Sequence, residues 1–110
     1  MSLVYVAAPL RATTATGVWL NIQNAFKCAG IVLRAGHTPL VAHGYAIPGC
    51  LDPFSPDQDA IGRAAGIRLL KECREVWCFG PLTPGMRAEV AFAVKHGKRV
   101  RYFDAKGQPA

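Results

Sequence analysis

The sequence predicts a three-layer α/β fold around a parallel sheet of four to five strands. Three observations carry that prediction. Short apolar runs alternate with amphipathic stretches in the order β-α-β-α-β-α-β, each amphipathic stretch is long enough to cross over a sheet, and two of them open on a cap followed by proline. Strands joined by such crossovers are right-handed and parallel, with helices on both faces.

Leu3 to Ala8 is an apolar run closed by Pro9, as expected of a strand buried on both faces. From Gly17 to Ala35, Val18, Ile22, Ala25/Phe26, Ala29 and Val32/Leu33 recur at helical spacing, and the stripe stops at Gly36. Thr38 to His43 reads as the second strand. Gly44 to Ser55 is a Gly/Pro-punctuated loop with the length of a lid or substrate loop. Ser55-Pro56 supplies an N-cap with proline at the first helical position, and that helix runs to about Cys73. Glu75 to Gly80 is the third strand. Thr83-Pro84 repeats the cap signature and opens a helix through His96, ended by Gly97. Arg99 to Asp104 is the last strand, and Ala105 to Ala110 reads as a loose tail.

With 110 residues, 51% of them hydrophobic and 18% charged, the chain is expected to form one domain with a single core, neither disordered nor fibrous. No apolar run approaches the ~20 residues of a membrane span, and the N-terminal stretch lacks the regions of a signal peptide, so a cytoplasmic protein is expected. Cys28, Cys50, Cys73 and Cys78 form no C-x-x-C pair, which argues against a structural zinc or a disulfide set. A net charge of +6 favours anionic partners such as nucleotides or phosphorylated metabolites, or serves solubility alone.

In a Rossmann- or flavodoxin-like sheet, ligands bind beyond the carboxyl ends of the strands. The site is therefore expected from three loops: residues 9–16, 44–55 and 81–85. On the helix after Pro84, Glu89 falls on the same stripe as Met86, Val90 and Ala93, where an unpaired carboxylate is costly. Helical side chains lean toward the N-terminus, so Glu89 points back at the crevice mouth; the alternative is an ion pair at a helix packing edge. Arg11, with hydroxyls beside it, offers a fork to phosphate or is a solvated surface arginine, and the loop has neither P-loop nor dinucleotide-binding glycines. From pattern alone Tyr5 is a core aromatic, and His43 either touches substrate or hydrogen-bonds the loop.

Tyr5-Val6-Ala7-Ala8-Pro9-Leu10-Arg11, Asn21, Ala42-His43, Val76-Trp77-Cys78-Phe79-Gly80 and Thr83-Pro84-Gly85-Met86-Arg87-Ala88-Glu89, followed by Gly97-Lys98-Arg99-Val100, together resemble the nucleoside 2-deoxyribosyltransferase-like superfamily. The resemblance spans Val4 to Phe103 and is closest to small phage and prophage members of unassigned function, with similarity also to 2′-deoxynucleoside 5′-phosphate N-hydrolases. It implies hydrolysis or transfer at the N-glycosidic bond of a nucleotide or nucleoside, with Glu89 attacking C1′ and Tyr5 beside it. It also implies that Arg11 and Thr83 contact a 5′-phosphate, and that Ala8, Pro9, Asn21, His43, Gly85 and Met86 line the substrate. Neither a metal nor an organic cofactor is implied, and the relatives work as homodimers or larger homo-oligomers in which a neighbouring subunit completes the pocket.

The chain departs from that pattern at two positions, with Gly66 and Arg74 where the relatives carry aspartate; Asp57 or Asp59 is available to compensate. A protein that binds or sequesters a nucleotide without catalysis is therefore the alternative reading. A nucleic-acid binder using Arg63, Arg68, Lys71 and Arg74 with Lys98, Arg99 and Arg101 is disfavoured, because no aromatic residues interleave those charges.

Overall fold

The computed structural model describes residues 2–110. Four parallel strands, β1 (Leu3–Ala7), β2 (Thr38–Leu40), β3 (Glu75–Phe79) and β4 (Arg99–Phe103), lie in the order β2-β1-β3-β4. Helices α1 (Ala15–Arg34), α2 (Pro56–Glu72) and α3 (Pro84–Lys95) make the crossovers. The register pairs Tyr5 with Leu40 on one side and Val76 on the other, and Cys78 with both Ala7 and Tyr102.

Alternation along the buried strands splits the core in two. Val4, Val6, Ala8, Trp77, Phe79 and Phe103 face α1 and meet Ala25, Cys28, Ala29 and Val32. Tyr5, Ala7, Val76 and Cys78 face the other way, against Leu70 of α2 and Met86 and Ala93 of α3. The aromatic side is ordered by stacking: the Phe79 and Phe103 rings are 5.0 Å apart, and the Arg101 guanidinium lies 4.7 Å above Trp77.

Both expected caps form. Ser55 accepts from the Gln58 amide and Thr83 from the Met86 amide, with proline at the start of each helix. Helix α1 begins two residues earlier than the apolar stripe indicates, because Thr14 caps it by accepting from Gly17 N at 3.0 Å. A Cβ at Gly17 would stand 2.7 Å from Ala12 Cβ, so this residue belongs to the tight entry turn rather than marking the helix start.

The second strand is shorter than its sequence reads. It stops at Leu40, and Ala42–Ala46 form a 3₁₀ helix, η1, that carries His43 away from the sheet. The strand lies at the edge, Pro39 gives the ladder no N–H, and burying His43 against the Ala8 carbonyl (2.8 Å) takes the chain out of extended geometry. The long loop is likewise not open. Leu51 N donates to Tyr45 O, Asp52 N to Gln58 Oε1 and Phe54 N to Asp52 Oδ1, tying residues 45–54 to the start of α2.

The last six residues do not form a loose tail. Asp104 Oδ1 accepts from the amides of Lys106 and Gln108, both at 2.9 Å, and Phe103 bridges antiparallel to Pro109. Gly107, in a left-handed conformation (φ 86°), turns the chain so closely onto α1 that a Cβ there would lie 2.3 Å from Ile31 Cδ1. The tail thus lies on the sheet face that has only one helix. Asp104→Ala is expected to cost about 1 kcal/mol in urea unfolding, the scale of a hydrogen-bonded turn; an unchanged midpoint would show that the tail adds nothing to stability.

Candidate active site

Glu89 sits in the second turn of α3, half-buried over the carboxyl ends of β1 and β3, and the Tyr5 hydroxyl donates a hydrogen bond to its Oε2. Tyr5 comes from the middle of β1 and is only 2% exposed, so the aromatic that pattern alone assigns to the core lies in the core and also bonds Glu89. Burial pushes the Glu89 carboxyl up to about 7, against the opposing pull of the Tyr5 hydrogen bond. The Tyr5 phenol is held far above its ordinary value by burial, then by the Glu89 charge and their hydrogen bond. Cys78, reaching the same face from β3, is pushed up to about 12 by burial and next by the charge of Glu89. Its thiol stays protonated near neutrality, and no arginine pairs with Glu89 among the described residues.

The loop after β1 is fixed from two sides. Asn21 Nδ2 donates to the carbonyls of Leu10 (3.0 Å) and Arg11 (3.3 Å), and His43 Nε2 donates to Ala8 O. His43 is 6% exposed and its imidazole is held below its ordinary pKa by burial, so the ring is neutral; its Nδ1 is buried with no hydrogen-bond partner. Of its two sequence readings, contact with the loop is the one the geometry contains.

Arg11 is engaged rather than free. Its Nη2 lies 2.5 Å from Asp59 Oδ2, which Arg63 Nε also approaches at 3.1 Å. Asp59 thereby links α2 to the first crevice loop, while Asp57 stays exposed on the first turn of α2. Thr83 Oγ1 is committed to capping the Met86 amide at 3.2 Å, Gly85 is exposed in the first turn, and Met86 is 1% exposed in the core. Pro9 is half-buried where the loop leaves β1.

Arg74 lies far from this constellation in the fold. It precedes β3 at the amino ends of the strands, in an open cleft with Glu72, His96 and Lys98, opposite the carboxyl ends where the crevice lies. Gly66 is the opposite case: buried in the middle of α2, it abuts the Tyr5 hydroxyl. A glycine inside a helical pattern, with no turn to explain it, was the one sequence signal for this contact.

Elsewhere, an apolar cleft between α1 and the long loop is lined by Val18, Trp19, Ile22, Leu51 and Phe54. The four cysteines are free, and among the described residues no group of three His, Cys, Asp or Glu side chains is placed to hold a metal ion. Among the described residues no helix is long and apolar enough to cross a membrane.

Comparison with known proteins gives a family and a fold. The model of a family described as a domain of unknown function (DUF7768) matches residues 2–103. No curated protein matches the chain. Among solved structures, a 2-deoxyribosyltransferase from the psychrotolerant bacterium Bacillus psychrosaccharolyticus superimposes with a TM-score of 0.65 at 16% identity, over 98% of this chain and 76% of that one. A CMP N-glycosidase from Clostridium botulinum superimposes with a TM-score of 0.53 at 18% identity, over 93% and 71%. The chain has the nucleoside 2-deoxyribosyltransferase-like fold.

Proposed function

The chain belongs to the family of that domain of unknown function, and from this premise and the crevice geometry we propose that it breaks the N-glycosidic bond of a nucleotide or nucleoside, by hydrolysis or by transfer, with Glu89 as nucleophile. The observation that carries the reading is the Tyr5–Glu89 pair: a carboxylate of raised proton affinity, aligned by a buried phenol at the strand ends, on a fold shared with two enzymes named for this bond.

The chemistry follows from the pair. One carboxylate oxygen of Glu89 adds to C1′ as the C1′–N bond breaks, the base leaves with the bond's electrons and takes up a proton, and an ester joins the sugar to Glu89. Water, or the nitrogen of a second base, then attacks C1′ and returns the free carboxylate. Tyr5 holds Oε2, which leaves Oε1 for attack. Asn21 and His43 keep the Ala8–Arg11 backbone in place beneath the ligand, and Arg11 is the group on that loop suited to a phosphate once it exchanges Asp59 for it.

Glu89 acts ionised, so kcat/KM is expected to rise with pH through about 7 and level above it. Tyr5→Phe removes the bond that favours the charged form. It is expected to move that limb to higher pH and to lower the rate about tenfold, whereas an unmoved limb would take Tyr5 out of the site.

The second reading, a nucleotide binder without turnover, is favoured by one observation: Asp59, a carboxylate available to compensate for Gly66, is already shared by two arginines. Incubation with a panel of nucleoside monophosphates and nucleosides, with Glu89→Ala alongside, decides between the two. Free base from the wild type alone supports the glycosidic reading, and stoichiometric binding without base supports the binder.

The proposal takes the chain as one domain that works as a homo-oligomer. Trp19, Leu20, Phe26 and Leu33 of α1 are exposed, and these apolar side chains support assembly. Two members of the basic set, Arg63 and Arg101, are already engaged within the chain, by Asp59 and by the Trp77 and Phe103 rings, which leaves less charge for nucleic acid.

A further inference from the structure

On one side the Tyr5 hydroxyl meets Glu89; on the other it meets the backbone of a helix. A Cβ placed on Gly66 would lie 3.2 Å from Tyr5 Oη and 3.4 Å from Ala42 Cβ. Gly66 has ordinary helical geometry and is absent from the positive-φ glycines, so conformational freedom does not explain it. A glycine in a helix interior costs about 1 kcal/mol relative to alanine. What the position gains is closeness. Gly62, one turn earlier on α2, makes a useful contrast, because a Cβ there would meet only Leu51 Cδ1, at 3.4 Å.

We propose that Gly66 is a positioning residue for Glu89: lacking a side chain, it lets α2 stand directly against the Tyr5 hydroxyl, which is shut off from water and left with the Glu89 carboxylate as its acceptor. The groups around the pair are few. Tyr5 faces Glu89 from β1 and Cys78 from β3, and Cys73, at the end of α2, faces Tyr5. His43 of η1 is turned to the Ala8 carbonyl, and the charged groups early in α2, Asp59 and Arg63, are paired with each other and with Arg11. Tyr5 is thus the route by which α2 acts on Glu89. Because the Tyr5 bond favours the charged carboxylate, a Cβ that displaces the hydroxyl by a few tenths of an ångström raises the proton affinity of Glu89.

The consequence for turnover rests on the role proposed for Glu89, but the arrangement itself can be tested without substrate. Carbon-13 NMR of protein labelled at glutamate side-chain carboxyls follows the Glu89 titration in the wild type, Gly66→Ala, Tyr5→Phe, the double variant and Gly62→Ala. The wild-type midpoint is expected near 7. Gly66→Ala should raise it by about half a pH unit, a fraction of a hydrogen bond, and should add nothing once Tyr5 is phenylalanine. Gly62→Ala should leave it unmoved. Stability should follow the same cycle: alanine at 66 lowers Tm with tyrosine present and raises it in the Tyr5→Phe background, where helix propensity acts alone.

A folded Gly66→Ala protein that titrates like the wild type would overturn the proposal, as would an equal shift in the Tyr5→Phe background. If Gly66→Ala fails to fold while the double variant folds, the hydroxyl contact is upheld; if both fail, the contact with Ala42 governs the position and the proposal falls. Absence of base release from any nucleotide would refute the glycosidic reading and leave these titrations unchanged.

Discussion

Glu89→Gln is expected to lower base release by about 10³-fold or more, the scale of losing a covalent nucleophile, in a protein that folds and still binds nucleotide. Glutamine keeps the size of the side chain and an oxygen for Tyr5 to donate to, so the pocket keeps its shape. What it loses is the anionic oxygen proposed to form the bond to C1′. Steady-state release at saturating nucleotide measures the rate, and calorimetric titration of the same variant separates lost chemistry from lost binding. A variant that kept a tenth of the wild-type rate would remove Glu89 as the nucleophile.

The same substitution is expected to stabilise the protein at high pH. The carboxyl is pushed up to about 7 in the fold, chiefly by burial, against about 4.3 in an unfolded chain. Between those values the folded chain holds a proton that the unfolded chain has released. Stability contributed by this group is therefore full below about pH 4, falls as pH rises through the window, and is lowest above about pH 7. Glutamine carries no such penalty. After discounting for partial exposure, Glu89→Gln should gain about 2 kcal/mol at pH 8, equivalent to several degrees in Tm, and the gain should vanish toward pH 4. A gain that does not depend on pH, or a loss at pH 8, would show that Glu89 is not strained by its burial. Opposite signs for activity and stability in one variant mark a carboxylate held at a core position for its chemistry.

Much of this arrangement was legible in the chain. Ser55-Pro56 and Thr83-Pro84 mark helix starts because cap and ring act locally, and buried parallel strands such as Val4 to Ala7 and Val76 to Phe79 show as unbroken apolar runs. Glu89 stood out because a carboxylate broke an apolar stripe. What local pattern could not supply was decided by contacts between distant segments. Val41 to His43 has the composition of a strand, but the bond from His43 to Ala8, 35 residues away, turns it into a 3₁₀ helix. The tail reads as loose from local pattern because Asp104 and Gly107 act through a turn closed on Ile31. Arg11 reads as a phosphate fork or a solvated surface arginine because its partner Asp59 lies 48 residues on. Gly66 beside Tyr5 joins two elements that periodicity treats separately.

The central claim, a bond between Glu89 and the sugar, is tested most directly by mass. The wild type is incubated with a nucleotide bearing fluorine at C2′, which withdraws electrons from C1′ and slows resolution of the ester, then quenched in acid and weighed intact and after digestion. The expected result is a mass increase equal to the fluorinated sugar phosphate, carried by the peptide that contains Glu89 and missing in Glu89→Gln. Release of base with no adduct, or an adduct on a different peptide, would contradict the claim.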